Sequence, residues 1–213
     1  MSDYSISDID ELIEEYGLED IKDYINKKLK KGIRLVIGEE DNFNIVGASR
    51  VGGYPDVTEN FIWPLTSDGE LMTFIAQLNL KELSSSDKGN LLPNNGMLYF
   101  FMGLDEPAYD IEHKVIFVET AEQLKLLEPE TTTVLDDVYD KFTAYKLIVN
   151  ECFDLPNYAY IDYDIVDDSD SYFDMQEELR NEDDNYIGFM FGYPSGQHDD
   201  SELEAALQII ANT

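Results

Sequence analysis

An α+β fold with a mostly antiparallel sheet is what this sequence predicts, on three observations. Two amphipathic stripes at helical spacing open the chain, short β-branched and aromatic runs fill its middle, and a Gly-Tyr-Pro turn near the start of those runs is echoed near the end. With 213 residues, 43% of them hydrophobic and 12% aromatic, the chain has material for a core without disulfide or metal staples.

Taken in order, Ile9, Leu12, Ile13 and Tyr16 mark the first helix, with Ser7 and Asp10 as a capping box and Gly17 as its stop. Leu18, Ile21, Ile25 and Leu29 mark a second. Glu19 and Asp20 stand in its first turn and Lys27, Lys28, Lys30 and Lys31 in its last, signs that complement the helix dipole, and Gly32 lies beyond. Strands are expected at "IRLVI" (33–37), "FNIV" (43–46), "LMTFIAQLNL" (71–80), "MLYFFM" (97–102), "KVIFV" (114–118) and "AYKLIV" (144–149). Between the last two, "TAEQLKLLEPE" reads as a short helix opened by Thr120 and closed before Pro129. "SYFDMQEELRN" (171–181) is expected as a helix, "YIGFMF" (186–191) as a strand, and "DSELEAALQII" (200–210) as a helix or a helix followed by a strand. Turn-rich stretches at 84–96 and 162–171 are loops, and neither resembles an interdomain linker. A single domain over 1–213, with a helical lead over about 1–31, is the expected organisation.

Charge is the most unusual property. The net charge of −32 arises from 46 acidic and 14 basic side chains, and it is unevenly spread. Residues 1–31 hold nine acids and five bases, residues 32–150 hold twenty and eight, and residues 151–213 hold seventeen and one. Such a field repels phosphate backbones and anionic lipid, and draws in basic proteins. Nucleic acid and membrane surfaces are therefore excluded as expected partners. A lone cysteine, Cys152, cannot form an internal disulfide, and with only His113 and His198 beside it cannot complete a four-ligand zinc site. The first residues show no signal-peptide pattern, and no apolar run approaches the roughly 20 residues that span a bilayer. The expected setting is the reducing cytoplasm.

Internal repetition points further. "GGYPDV" (52–57) is echoed by "FGYPSG" (191–196), and "FIAQLNL" (74–80) by "AALQIIA" (205–211), in the same order, which suggests two degenerate half-repeats. The succession Gly-Gly-Tyr-Pro, "FIWP", "FIAQLNL" and "GMLYFF" resembles the YwqG-like family, a bacterial domain of unknown function designated DUF1963. The likeness is dense from Ser49 to Met102 and is supported by the second Gly-Tyr-Pro, at 192–194, followed by Leu207, Gln208 and Ile209. It implies an α+β fold of two related halves and carries over no catalytic residue. Two departures stand out: Gln197 comes one position early, and the chain reaches Thr213 before a second Gly-containing aromatic strand. The second half is accordingly expected to be incomplete, its sheet edge covered by another chain or left short.

Familiar chemistry is hard to find. Neither GxGxxG nor GxxxxGK[ST] occurs, and "IEHK" lacks the second His of a zincin. Read as an EF-hand from Asp162, Asp167 or Asp168, the acidic loop lacks Gly at position six, and only the Asp167 frame sets an acid, Glu178, at position twelve. A solvated acidic loop is the default for Asp162, Asp164, Asp167, Asp168 and Asp170, with weak nonspecific cation binding as the alternative. Cys152 with His198 and Asp199 or Asp200 would be the nucleophilic candidate, but acidic neighbours raise rather than lower a thiol pKa. No catalytic residue, cofactor or metal is expected.

Two functional expectations follow, from different classes. The first is a protein-binding module whose contact surface is the acidic, tyrosine-bearing segment Asp162, Tyr163, Asp164, Asp167, Asp168, Asp170, Tyr172, Asp174, Glu177 and Glu178, suited to a Lys/Arg-rich partner. Some members of the resembled family are encoded beside polymorphic toxin genes, so the resemblance implies an immunity-type inhibitor of a basic toxin. The second is a small-molecule-binding or enzymatic domain with a pocket at the Gly-Tyr-Pro turns, near Arg50, Tyr54, Trp63, Gln77, Tyr193, Gln197 and His198. An acidic protein without a dedicated ligand is the third reading. At the first turn, structural duty competes with ligand contact: Gly52 and Gly53 permit positive φ or close approach, Pro55 fixes the turn, and Trp63 and Pro64 seat the returning chain.

Overall fold

A computed structural model describes residues 6–103, 112–128, 143–180 and 185–193. Contacts divide the chain into two units, one of residues 1–34 with 150–213 and one of residues 35–149.

In the first unit, helix α1 (Ile6–Glu15) turns Ile9, Leu12 and Ile13 inward, all at most 4% exposed. Ser7 lies within this helix rather than at its cap, because the helix already includes Ile6. The second stripe forms a 3-10 turn (Glu19–Ile21) and helix α2 (Lys22–Lys28). Gly32 does not stop that helix: Leu29 already has an extended backbone, and Gly32 lies inside strand β1 (Lys30–Glu40). Its role there is close approach, since a Cβ would sit 2.7 Å from the Met190 carbonyl oxygen and 3.3 Å from Cys152 Sγ. The two helices share one core with residues from the far end of the sequence: Phe153, Leu155, Ile161, Val166, Tyr172, Met175 and Leu179.

The second unit holds strands β2 (Arg50–Val51), β3 (Asp56–Val57), β4 (Thr73–Asn79), β5 (Met97–Met102), β6 (His113–Val118) and β7 (Lys125–Leu126) and the short helix α3 (Leu80–Leu83). Its core is Val57, Met72, Phe74, Met97, Tyr99, Phe101 and Leu124, with Phe61, Trp63, Ile116 and Val118 packed at its margin. Strand β8 (Tyr145–Asp154), helix α4 (Ser169–Arg180) and strand β9 (Tyr186–Met190) complete the described elements. Seven strands form one sheet in the order β6-β5-β4-β2-β8-β1-β9, and β3 and β7 pair separately. The pairings of β2 with β4 and β8, of β4 with β5 and of β5 with β6 are antiparallel. The α+β reading with a mostly antiparallel sheet therefore holds.

Two expected elements do not form. Residues 43–46 are not a strand: Asp41 accepts a bond from the Phe43 N–H (2.9 Å), Phe43 takes φ 59°, and the chain turns so that Ile45 and Val46 are more than half exposed. The segment opened by Thr120 is not a helix either. Thr120 accepts from the Glu122 N–H as a cap would, but Gln123 adopts φ 57° and the chain leaves to pair as β7 with β3, which buries Leu124 in the core. The expected segment at 200–210 lies outside the described residues.

Candidate functional site

Helix α4 positions the acidic segment. Buried Tyr172, Met175, Gln176 and Leu179 recur at i, i+3, i+4 and i+7, so Asp170, Asp174, Glu177 and Glu178 fall on the opposite, exposed face. The helix begins where Asp168 Oδ1 accepts the Ser171 N–H at 3.1 Å, an N-cap whose backbone bond holds the Asp168 carboxyl below its usual range. The preceding turn is built the same way, with Asp162 Oδ1 accepting the Asp164 N–H at 3.1 Å. Of the ten residues expected on a partner surface, nine are exposed; Tyr172 is not. Its ring is 0% exposed and its hydroxyl donates to the Pro156 carbonyl, so it belongs to the core.

Three residues join this face that sequence reasoning missed. In the turn before α4, Tyr158 and Ile165 are 52% and 43% exposed, as is Tyr163 at 55%, so this segment exposes apolar groups as well as acids. Tyr163 is tied down by a bond from its hydroxyl to the Tyr158 carbonyl. From α1, Tyr16 donates its hydroxyl to Glu178, and that bond pushes the Tyr16 pKa up to about 12, with Glu15 and Asp174 adding to the field. The stripe that marks Tyr16 as helical could have flagged it, because an amphipathic helix leaves its boundary residues at a surface. Among the described residues, Asp164, Asp167, Asp174 and Glu177 form no ion pair, and no three His, Cys, Asp or Glu side chains converge as a metal site.

The first Gly-Tyr-Pro turn is organised quite differently. Arg50, fully buried, donates from Nε to Asp41 Oδ2 (2.7 Å), from Nη1 to the Tyr54 carbonyl (3.0 Å) and from Nη2 to the Ile45 carbonyl (3.3 Å), and its Nη2 is ion-paired with Asp56 Oδ2 at 2.7 Å. The Phe43 ring lies 4.9 Å from its guanidinium. Gln77, also fully buried, accepts the Asp56 N–H and donates to the Ala48 carbonyl and Asp56 Oδ2. The Gly47 N–H donates to the same Asp56 oxygen, and the Tyr99 hydroxyl donates to the Asp56 carbonyl. Trp63 Nε1 donates to the Met72 carbonyl at 2.7 Å, and its ring meets Phe101 edge-on, which fixes the returning chain. These groups are the hydrogen-bonded interior of a turn.

At the second turn, Tyr193 donates its hydroxyl to the Lys28 carbonyl, and Lys30 Nζ lies 3.8 Å from its ring centre. Asp154, 0% exposed, accepts from the Tyr193 N–H, from the Leu155 N–H and from Arg180 Nε (3.0 Å). Burial, with Asp154 nearby, pushes the Cys152 thiol up to about 12, the reverse of what a nucleophile needs. Gln197 and His198 lie outside the described residues. A polar recess of about 470 Å³ occurs elsewhere, lined by Thr58, Glu59, Asn60, Thr120, Glu122, Gln123 and Lys125.

The family model for a domain of unknown function, DUF1963, matches residues 49–210, more than half of the chain. No curated protein matches the sequence. Among the described residues, no helix is long and apolar enough to cross a membrane.

Proposed function

Because the chain belongs to the DUF1963 family, for which no function is assigned, we propose from its own surface that it is a cytoplasmic protein-binding module. Its contact surface is the acidic face of α4 and the turn before it, and its partner is a protein rich in Lys and Arg. The observation that carries this reading is that Asp164, Asp167, Asp174 and Glu177 are exposed and form no ion pair among the described residues, with Tyr158, Tyr163 and Ile165 exposed in the same segment, 158–180. Carboxylates steer a basic partner and fix its register, while the rings and the isoleucine supply area to bury. The specific form of the proposal is an immunity-type inhibitor of a basic toxin, which rests on the family resemblance and the charge.

A ligand pocket at the first Gly-Tyr-Pro turn has less support, since Arg50 and Gln77 are buried and directed into the protein. The test is capture from a native lysate with the wild-type chain and with Asp164→Lys/Asp167→Lys/Asp174→Lys side by side. A basic protein retained stoichiometrically by the first and lost by the second is expected; the same proteins on both would remove the proposal.

A further inference from the structure

Asn95 is the only asparagine in the chain that a glycine follows, and Asp68 the only such aspartate. A side-chain carbonyl at such a position is open to attack by the next backbone nitrogen, because glycine has no Cβ to hinder closure of a succinimide ring. The two sites differ in how that nitrogen is held. In the turn at 66–70 the Gly69 N–H donates to the Thr66 carbonyl (3.0 Å), and the Thr66 N–H to the Glu70 carbonyl (2.8 Å). Asn95 is exposed, and among the described residues neither its side chain nor the Gly96 N–H forms a hydrogen bond. Backbone donors of a folded chain are nearly all engaged, so the Gly96 nitrogen is an exception, and it stands next to the group it can attack. Glycine at 96 is itself required: its φ is 114°, and a Cβ would lie 2.6 Å from the Val118 carbonyl oxygen and 2.7 Å from Phe117 Cε2. The fold thus demands the residue that makes Asn95 reactive.

We propose that Asn95 is a site of self-modification, converted to aspartate and isoaspartate through a succinimide formed with Gly96. The Gly96 nitrogen bonds to Asn95 Cγ while the Cγ–Nδ2 bond breaks. The proton lost from the Gly96 nitrogen passes through water to the departing side-chain nitrogen, which leaves as ammonia. Water then adds to one of the two ring carbonyls and reopens the ring, with no change of oxidation state. Addition at Cγ gives aspartate. Addition at the main-chain carbonyl gives isoaspartate, which routes the chain through the side-chain carbon and lengthens it by a methylene. That insertion falls where the chain has no slack. The Gly96 carbonyl accepts the Leu80 N–H at the start of α3 (3.0 Å), and Met97, 0% exposed, is paired with Asn79 and Val118. The isoaspartyl chain is therefore the less stable product.

Ageing the full chain in buffer, with and without urea, tests this. The readouts are mass spectrometry of the tryptic peptide 89–114 and labelling by an isoaspartyl methyltransferase. The expected result is deamidation of the folded chain at Asn95 at a rate within about tenfold of that in urea, ahead of Asn90 and Asn94 in the same peptide. Isoaspartate at Asp68 forms in urea and is slowed by folding more than about tenfold, because the turn holds the Gly69 nitrogen. Asn95→Gln, which would need a larger ring, loses the modification and keeps the circular dichroism of the wild type. The isoaspartyl fraction unfolds at lower urea than the unmodified chain. An Asn95 that persists in the folded chain overturns the proposal. So does conversion that begins at Asn90 or Asn94, or equal slowing of both glycine-linked sites by folding.

Discussion

Acids stand in opposite settings around Arg50 and along α4 with the turn before it. In the unit of residues 35–149, Asp41 and Asp56 are buried against Arg50, and backbone N–H groups and Gln77 take up their remaining valence. In the other unit, nine residues of the acidic segment face water, and Asp164, Asp167, Asp174 and Glu177 form no ion pair among the described residues. A carboxylate desolvated and met by a guanidinium holds a fold together; one left at the surface stays solvated, and it is these that the proposed function assigns to a basic partner. Net charge alone does not separate these roles. Position does.

The largest effect should come from the buried side of that contrast. Arg50→Met leaves two carboxylates without their cation, and denaturant unfolding should show a loss of about 3–5 kcal/mol. Next is the thiol near Asp154. With its pKa pushed up to about 12, Cys152 should react with a thiol-specific reagent at pH 8 about a thousandfold more slowly than a free cysteine, and at the ordinary rate once the protein is unfolded. Gly53→Ala should cost about 2–4 kcal/mol in the same unfolding assay, since the residue has φ 64° and a Cβ would meet Ala144 Cβ at 2.6 Å and Phe43 Cζ at 2.8 Å. The smallest effect belongs to the exposed side. The Asp168 carboxyl is held below its usual range by the Ser171 N–H, so its cap contributes in full above about pH 4 and is lost as pH falls through the lowered value. The stability difference between wild type and Asp168→Ala should therefore be widest near neutral pH and narrow in acid.

How much of this could be read in the sequence depends on the range of the interaction that decides each element. Strand β5 matches its expected run, residues 97–102, because six apolar and aromatic residues bounded by turn chemistry leave little choice. "FNIV" offers the same local pattern but lies beside Arg50, and burying a guanidinium requires the Ile45 carbonyl and a turned chain around it. That requirement is set by a residue outside the window. Tyr172 was expected on the partner surface for a related reason: Gln176 occupies a core position of α4, donating to the Leu155 carbonyl, and a polar residue in the buried stripe hides the phase of the helix. The exposure of the segment's eight acids is legible because charge without a nearby cation is a property of composition. The roles of Asp41, Asp56 and Asp154 were not, since nothing in a single sequence distinguishes an aspartate that will be buried from one that will not.

The measurement that bears most directly on the contrast is a calorimetric titration of the captured basic partner into the wild-type chain and into Asp164→Lys/Asp167→Lys/Asp174→Lys, at low and at moderate salt. The expected result is affinity that falls with salt for the wild type, and at least about tenfold weaker, salt-insensitive binding for the variant, with unfolding of the two chains unchanged. Equal affinity and equal salt dependence in both chains would contradict the account, and would leave the exposed acids with no role beyond solubility.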